Sequence, residues 1–227
     1  MILIVAMTLP TLAAYSYFNL FTEPETVSTL YSLSKIIQFS LPLIAVLWIQ
    51  KRKLSWVQPQ KKDIIFGLGL GLIMLTLLMI TYNQLSQFSF IPEAALLIRQ
   101  KLEAFHANTP LKYFFLACFI SILHSFLEEY YWRWYVHNEL RAKLNVTAAS
   151  IISSLAFTGH HVIVIKAYLP ESIAGWGIYF FPAFVFCAGL FWALIYEKWK
   201  NLWIPWISHF LADVAILWIG YQIVWKI

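Results

Sequence analysis

Charge is what this chain has least of. Asp, Glu, Lys and Arg make up 12% of its 227 residues, against about 25% in a soluble domain. Hydrophobic residues reach 61%, against about 45–50%. Both departures run the same way and exclude an ordinary water-soluble globule. Disorder is excluded too, because a disordered chain has too little to bury. Cysteine is also scarce. Cys118 and Cys187 sit in apolar runs, offer neither a disulfide framework nor metal-ligand spacing, and read as packing residues. The net charge of +5 comes without a basic run interleaved with aromatics, so nucleic acid is not an expected partner. Basic loops that fix membrane topology account for the charge instead. No basic stretch opens the N-terminus, so Ile2–Leu20 reads as a retained span rather than a signal peptide. Without repeats, low-complexity tracts or a composition break, 1–227 reads as a single membrane domain. Its N-terminal helices (1–110) precede a motif-bearing core (111–227).

Long apolar runs are what the chain has instead. They fall at about Ile2–Leu20, Leu30–Gln50, Ile64–Tyr82, Lys112–Val136, Val146–Ile165, Trp176–Tyr196 and Leu202–Trp225. At roughly 20 residues per crossing, the fold class is all-α: a polytopic membrane helix bundle of about seven or eight transmembrane helices. No room is left for a soluble catalytic domain, so any chemistry must be built from membrane helices around a polar intramembrane cavity. Lys51, Arg52, Lys53, Lys61, Lys62, Arg141, Lys143, Lys198 and Lys200 outnumber Arg99, Lys101, Lys112, Lys166 and Lys226 on the alternate loops. That asymmetry puts the N-terminus inside, in the cell (plasma or inner) membrane.

Ile91–Ala107 is too short and polar to cross. Pro92 fits a first helical position, and Ala94, Ala95, Leu97, Ile98, Leu102 and Phe105 share a face opposite Arg99 and Lys101. This segment reads as an interfacial amphipathic helix. Trp48, Trp56, Trp199 and Trp203 mark inner boundaries as an aromatic belt. Gly67, Gly69 and Gly71 lack the spacing and the preceding strand of a dinucleotide fingerprint, and suit close helix packing.

Ionisable side chains inside spans mark functional sites, since each costs about 2.5–3.5 kcal/mol at a helix centre. The fourth span carries His124, Glu128, Glu129 and Arg133; the fifth, His160 and His161; the seventh, His209 and Asp213. Residues four apart share a helix face. Glu129 therefore pairs with Arg133, His124 lies one turn before Glu128, and His209 shares a face with Asp213. Adjacent residues point about 100° apart, so one carboxylate is neutralised by Arg133 while the other stays free for chemistry. By the same geometry, at most one of His160 and His161 faces a common cavity. His106 and His137, near span ends, read as solvated.

Glu128-Glu129-x-x-x-Arg133, then Phe157-x-x-x-His161, then His209-x-x-x-Asp213 resembles the three-motif pattern of the CAAX-protease and bacteriocin-processing (CPBP, or Abi) family of intramembrane glutamic endopeptidases. Motif order and placement in separate apolar helices match over about residues 112–215, as does Gly189 before the last motif. The resemblance implies that Glu128 is the general base activating a water and that His161 positions it. His209 and Asp213 stand where the family stabilises the oxyanion, and Glu129 with Arg133 braces the site. A carboxylate in a dry pocket is a stronger base than one in water, which suits that role. Many family members carry Asn where Asp213 stands. An ionised Asp donates no hydrogen bond, so either Asp213 is protonated in its apolar setting or, the favoured reading, it orients and charges His209, which donates. His160 fits no motif and reads as structural or as a residue that supports the site through another side chain.

The reaction expected is hydrolysis of a peptide bond in a membrane-associated, prenylated or leader-type peptide, with no cofactor. The partners are that peptide or protein substrate and the lipid bilayer. One alternative is zinc held by Glu128, His161 and His209, although HExxH is missing. Another is a transporter or proton-relay protein, which also buries Glu, Asp and His but uses paired, interrupted half-helices that this chain lacks.

Overall fold

A computed structural model of the chain describes residues 2–54 and 57–226. Its regular structure is helical throughout, with no strand among the described residues. Seven helices are long and apolar enough to cross a membrane: α1 (Ile2–Leu20), α2 (Pro24–Ile49), α3 (Lys61–Leu85), α5 (Pro110–Arg141), α6 (Val146–Tyr168), α7 (Glu171–Trp199) and α8 (Trp203–Trp225). The short α4 (Ile91–Ala104) lies between α3 and α5. Trp56 of the expected aromatic belt lies outside the described residues, whereas Trp48 is exposed.

Local chemistry sets the helix starts. Pro24 and Pro110 occupy the first turns of α2 and α5, where a missing N–H is harmless. The Thr109 hydroxyl accepts from Lys112 N at 3.3 Å. At α3, the Asp63 carboxylate accepts from Gln60 N at 2.9 Å while the Gln60 side chain accepts from the backbone N–H of Asp63, a reciprocal cap. Asn145 accepts from Ala148 N at 2.9 Å to open α6. Residue Lys200 ends α7 in the left-handed region, with φ 52°.

α3 lies most extensively along α8, and α7 along α6, with α1 on the other side of α6. Gly67 and Gly71 explain the first contact. A Cβ on Gly71 would come within 2.6 Å of Leu211 Cδ1, and one on Gly67 within 3.0 Å of Ile207 Cβ. Gly69 has open space around it and lines a lipid-facing groove of about 540 Å³ with Phe66, Ile73 and Trp199. Ile36, Ile37, Leu72, Ile73, Phe114 and Phe115 project outward, tolerable because lipid is their solvent. The core gathers Tyr131, Trp132 and Tyr135 of α5 against Phe157, Trp192 and Ala212, so aromatic bulk surrounds the second half of α5.

Four expectations change. α4 is helical, but its apolar face is spent on protein: Ile91 and Ala95 meet Ile223, and Leu102 meets Val224. Arg99 Nη2 donates to Val224 O at 2.6 Å, so even its polar face is tied to α8. Cys187 is exposed on the helix exterior rather than packed. His137 is fully buried, its Nε2 3.1 Å from Ser150 Oγ, because α6 and α7 close over the end of α5. The fourth change concerns His160 and belongs to the site.

The loops rich in Lys and Arg lie on one face. Arg52 bonds Glu139, Gln50 Nε2 donates to Glu139 at 2.9 Å, and Arg141 and Lys200 both reach Glu197, at 3.2 and 2.8 Å. These contacts join the α2–α3, α5–α6 and α7–α8 connections.

Candidate active site

The second half of α5 carries the densest polar cluster, and its helical winding is irregular there. Wide i→i+5 turns run over Phe119–His124 and Tyr130–His137 and flank the α-helical turn holding Glu128 and Glu129. Such widened turns concentrate at functional sites. Glu128 is 3% exposed and Glu129 0%. Two adjacent carboxylates out of water demand partners, and they find different ones.

Glu129 is fixed from two sides. Arg133 Nη1 donates to its Oε1 at 2.9 Å from one turn along α5, and His209 Nδ1 donates to the same oxygen at 2.8 Å from α8. Arg133 spends its second arm on Gly189 O of α7 at 3.2 Å. Its guanidinium lies 4.7 Å from the Phe157 ring centroid and 5.3 Å from that of Trp192, a desolvated cation between π faces. A Cβ on Gly189 would stand 3.0 Å from Phe157 Cδ1, so the glycine keeps α6, α7 and Arg133 together.

Glu128 has imidazoles around it and no guanidinium. His160 Nε2 donates to its Oε1 at 3.3 Å, His124 Nε2 lies 4.0 Å from that oxygen, and His209 Nε2 lies 3.9 Å from Oε2. One donor atom each from Glu128, His160 and His161 falls within 4.8 Å of the others. Both histidines of α6 therefore face this carboxylate, contrary to the expectation that at most one would. A 100° step separates their directions, yet the two rings stand 4.0 Å apart, and His160 is stacked parallel to Trp132 at 5.7 Å.

His161 Nδ1–H donates to Phe157 O at 2.9 Å. In the neutral ring Nε2 is then an acceptor. The spacing of Phe157 and His161 thus has a physical basis, since the phenylalanine's carbonyl fixes the tautomer and its ring supports Arg133. His209 is held by Glu129 through Nδ1, and its ring is stacked on Trp192 at 4.1 Å. Trp192 is itself anchored by Nε1 donating to Ser208 Oγ at 3.0 Å. His209 Nε2 has Asp213 Oδ1 at 3.7 Å and Glu128 Oε2 at 3.9 Å, beyond hydrogen-bond range of both. The orienting bond expected from Asp213 comes from Glu129 instead.

Glu128, Glu129, Arg133, His161, His209 and Asp213 thus converge from three helices. Sequence reasoning gave His160 a structural or supporting place, where it donates to Glu128, but passed over the bracing Trp192. It also passed over Lys35, an ionisable residue near the middle of α2 that the in-span criterion would have caught. The expected zinc set of Glu128, His161 and His209 is not the donor group that comes together; His160 takes the place of His209. Residues 110–215, from the first turn of α5 to just beyond Asp213, match the family model of the Rce1-like, type II CAAX prenyl endopeptidases. Neither a curated protein nor a solved structure matches the chain.

Proposed function

On the match of residues 110–215 to the Rce1-like, type II CAAX prenyl endopeptidases, we propose that this multi-pass membrane protein is a member of that family and a glutamic intramembrane peptidase with Glu128 as its base. The observation carrying this reading is the unequal treatment of two adjacent carboxylates. Arg133 and His209 immobilise Glu129, while Glu128 meets only imidazole edges at 3.3–4.0 Å.

A water held at Glu128 gives up a proton to that carboxylate as its oxygen attacks the substrate carbonyl. The His161 Nε2 lone pair accepts the water's other hydrogen and aims it. Negative charge then gathers on the former carbonyl oxygen. His209 Nε2–H, with the ring protonated and balanced by Glu129 and Asp213, is the donor available to it. Glu128 next delivers its proton to the leaving nitrogen, the C–N bond breaks, and the carboxylate is restored. His160, donating to Glu128, holds the base in its rotamer. The substrate is a peptide at the bilayer, of the prenylated C-terminal or leader type. The Lys/Arg asymmetry supports an N-terminus on the inner side, and the cell membrane is the proposed location.

A second reading is favoured by the Glu128–His160–His161 donor group. One carboxylate and two imidazoles suit zinc, which there would polarise the carbonyl as a Lewis acid. Cleavage of a prenylated peptide by purified protein, wild type beside Glu128→Gln, tests the base. Cleavage at the wild-type rate by the variant defeats the proposal. Undiminished activity after chelation, with no metal in the purified protein, decides for the glutamic form; loss restored by zinc decides for the metal.

A further inference from the structure

Gly67 and Gly71 of α3 are required by the close approach of α8, but Gly69 between them is not: a Cβ there would meet nothing within 4 Å. The missing side chain instead deepens the groove of about 540 Å³ on the lipid-facing side of α3. Phe66, Leu70 and Ile73 of α3 wall the groove, with Trp199 of α7 and Ile204 of α8 across from them. The Phe66 and Trp199 rings lie 5.0 Å apart.

The groove has a direction. Along α3 it reaches from Lys62 to Ile73, about 16 Å at 1.5 Å per residue. One leaflet of a bilayer contributes about half of a hydrocarbon core roughly 30 Å thick, so the groove has the length of one acyl chain layer. Its polar end opens on the face where the Lys/Arg-rich loops gather. Several cations there are already paired, Arg52 with Glu139 and both Arg141 and Lys200 with Glu197. Lys62 and Lys198 form no such pair among the described residues. Lys62 is exposed on the rim of the groove, and Lys198 Nζ lies 4.3 Å from the centroid of the Trp199 ring. The carboxylate beside them, Asp63, is buried and accepts from Gln60 N at 2.9 Å, so it is held in the helix cap. The first turn of α3 adds the positive end of its backbone dipole to the same rim.

We propose that this groove is the site of one anionic phospholipid from the leaflet on the basic face, its acyl chain laid over Gly69 and its phosphate beside Lys62 and Lys198. Complementarity identifies the occupant. An apolar channel one leaflet long suits a hydrocarbon chain, and two unpaired ammonium groups at its mouth suit an anion at the end of that chain. A zwitterionic lipid meets the first condition and not the second. None of the polar cluster around Glu128 lines the groove, so the site stands apart from the peptidase reading. Ile204 belongs to the helix that carries His209, and a bound lipid braces that helix from outside.

Native mass spectrometry of the purified protein in detergent, titrated with dioleoyl phosphatidylglycerol or with dioleoyl phosphatidylcholine, gives Kd for the first lipid bound. Wild type is expected to prefer phosphatidylglycerol about tenfold, the scale of one or two lysines near an anionic headgroup. Lys62→Gln should lower that preference several-fold and leave the phosphatidylcholine Kd unchanged. Gly69→Leu fills the floor of the groove and should weaken both lipids about tenfold. Equal Kd values for the two lipids in wild type would mean ordinary boundary lipid and overturn the proposal. An unchanged preference in Lys62→Gln, or wild-type affinities in Gly69→Leu, overturns it as well. So does displacement of bound phosphatidylglycerol by an S-farnesyl cysteine peptide, which would give the groove to substrate. Thermal unfolding without added lipid shows whether Gly69→Leu folds; if it does not, the exposed Lys62→Gln decides alone.

Discussion

Replacing Arg133 with Met keeps the volume of the side chain and removes its charge and both arms. The bonds to Glu129 at 2.9 Å and to Gly189 O at 3.2 Å disappear, as does the cation between Phe157 and Trp192. Glu129, fully buried, keeps only His209 Nδ1–H at 2.8 Å. Breaking a buried pair by removing one partner costs about 3–5 kcal/mol, and the surviving histidine bond argues for the lower figure. For a protein of this size each kcal/mol moves Tm by about 2–4 °C, so Arg133→Met should unfold on the order of 10 °C below wild type.

The double variant Glu129→Gln with Arg133→Met leaves no buried charge behind and should recover part of that loss. Arg133→Lys keeps the charge without the two-armed fork and should fall between. Thermal unfolding in detergent, followed by tryptophan fluorescence, measures all three. If Arg133→Met melts with the wild type, or the double variant melts below the single one, Arg133 is not the counter-ion that stabilises Glu129 in the fold.

Three further outcomes follow from the geometry. Gly71→Val should push α3 away from α8, since a Cβ alone meets Leu211 Cδ1 at 2.6 Å; overpacking costs about 1–3 kcal/mol, whereas Gly69→Ala, with open space around it, should melt as wild type does. His209→Ala removes the oxyanion donor and should lower kcat about 10²–10³-fold. Asp213→Asn should cost less than tenfold, because Glu129 and not Asp213 holds the His209 ring; equal losses in the two variants would refute that assignment. Glu93 accepts from Ser172 Oγ and from Glu171 N, both at 2.6 Å, and the Ser172 hydrogen bond, with help from the backbone, holds its carboxyl below the ordinary 4.5. A lowered folded-state pKa contributes stability that is present above the ordinary value and is lost as pH falls through the folded one. Hydrogen exchange at the start of α7 should therefore rise on acidification below about pH 4.5 in wild type, and Glu93→Gln should remove that dependence.

The seven spans were legible because lipid imposes a one-dimensional rule: a crossing needs a long apolar run, and a run is visible in sequence. The Glu129–Arg133 pair was legible for a similar reason, since helical pitch alone brings residues four apart together. Both His160 and His161 reach Glu128, which a single helix could not show because the carboxylate they meet belongs to another helix. His137 seemed solvated because its burial comes from α6 and α7, not from α5. Asp213, one turn from His209, seemed its natural partner, yet the ring's Nδ1 turned to Glu129 eighty residues away. Pitch gives proximity along one helix and says nothing about what the neighbouring helix offers.

From its residue order alone, this chain determined its solvent, its helical class, the positions of its apolar runs and the three polar motifs, because each depends on composition or on spacing within one segment. Only the three-dimensional fold decided which carboxylate was bound by Arg133 and His209 and which histidines met the other. Those choices depend on how helices rotate and lean against one another, and that is set by side-chain contacts between distant parts of the chain.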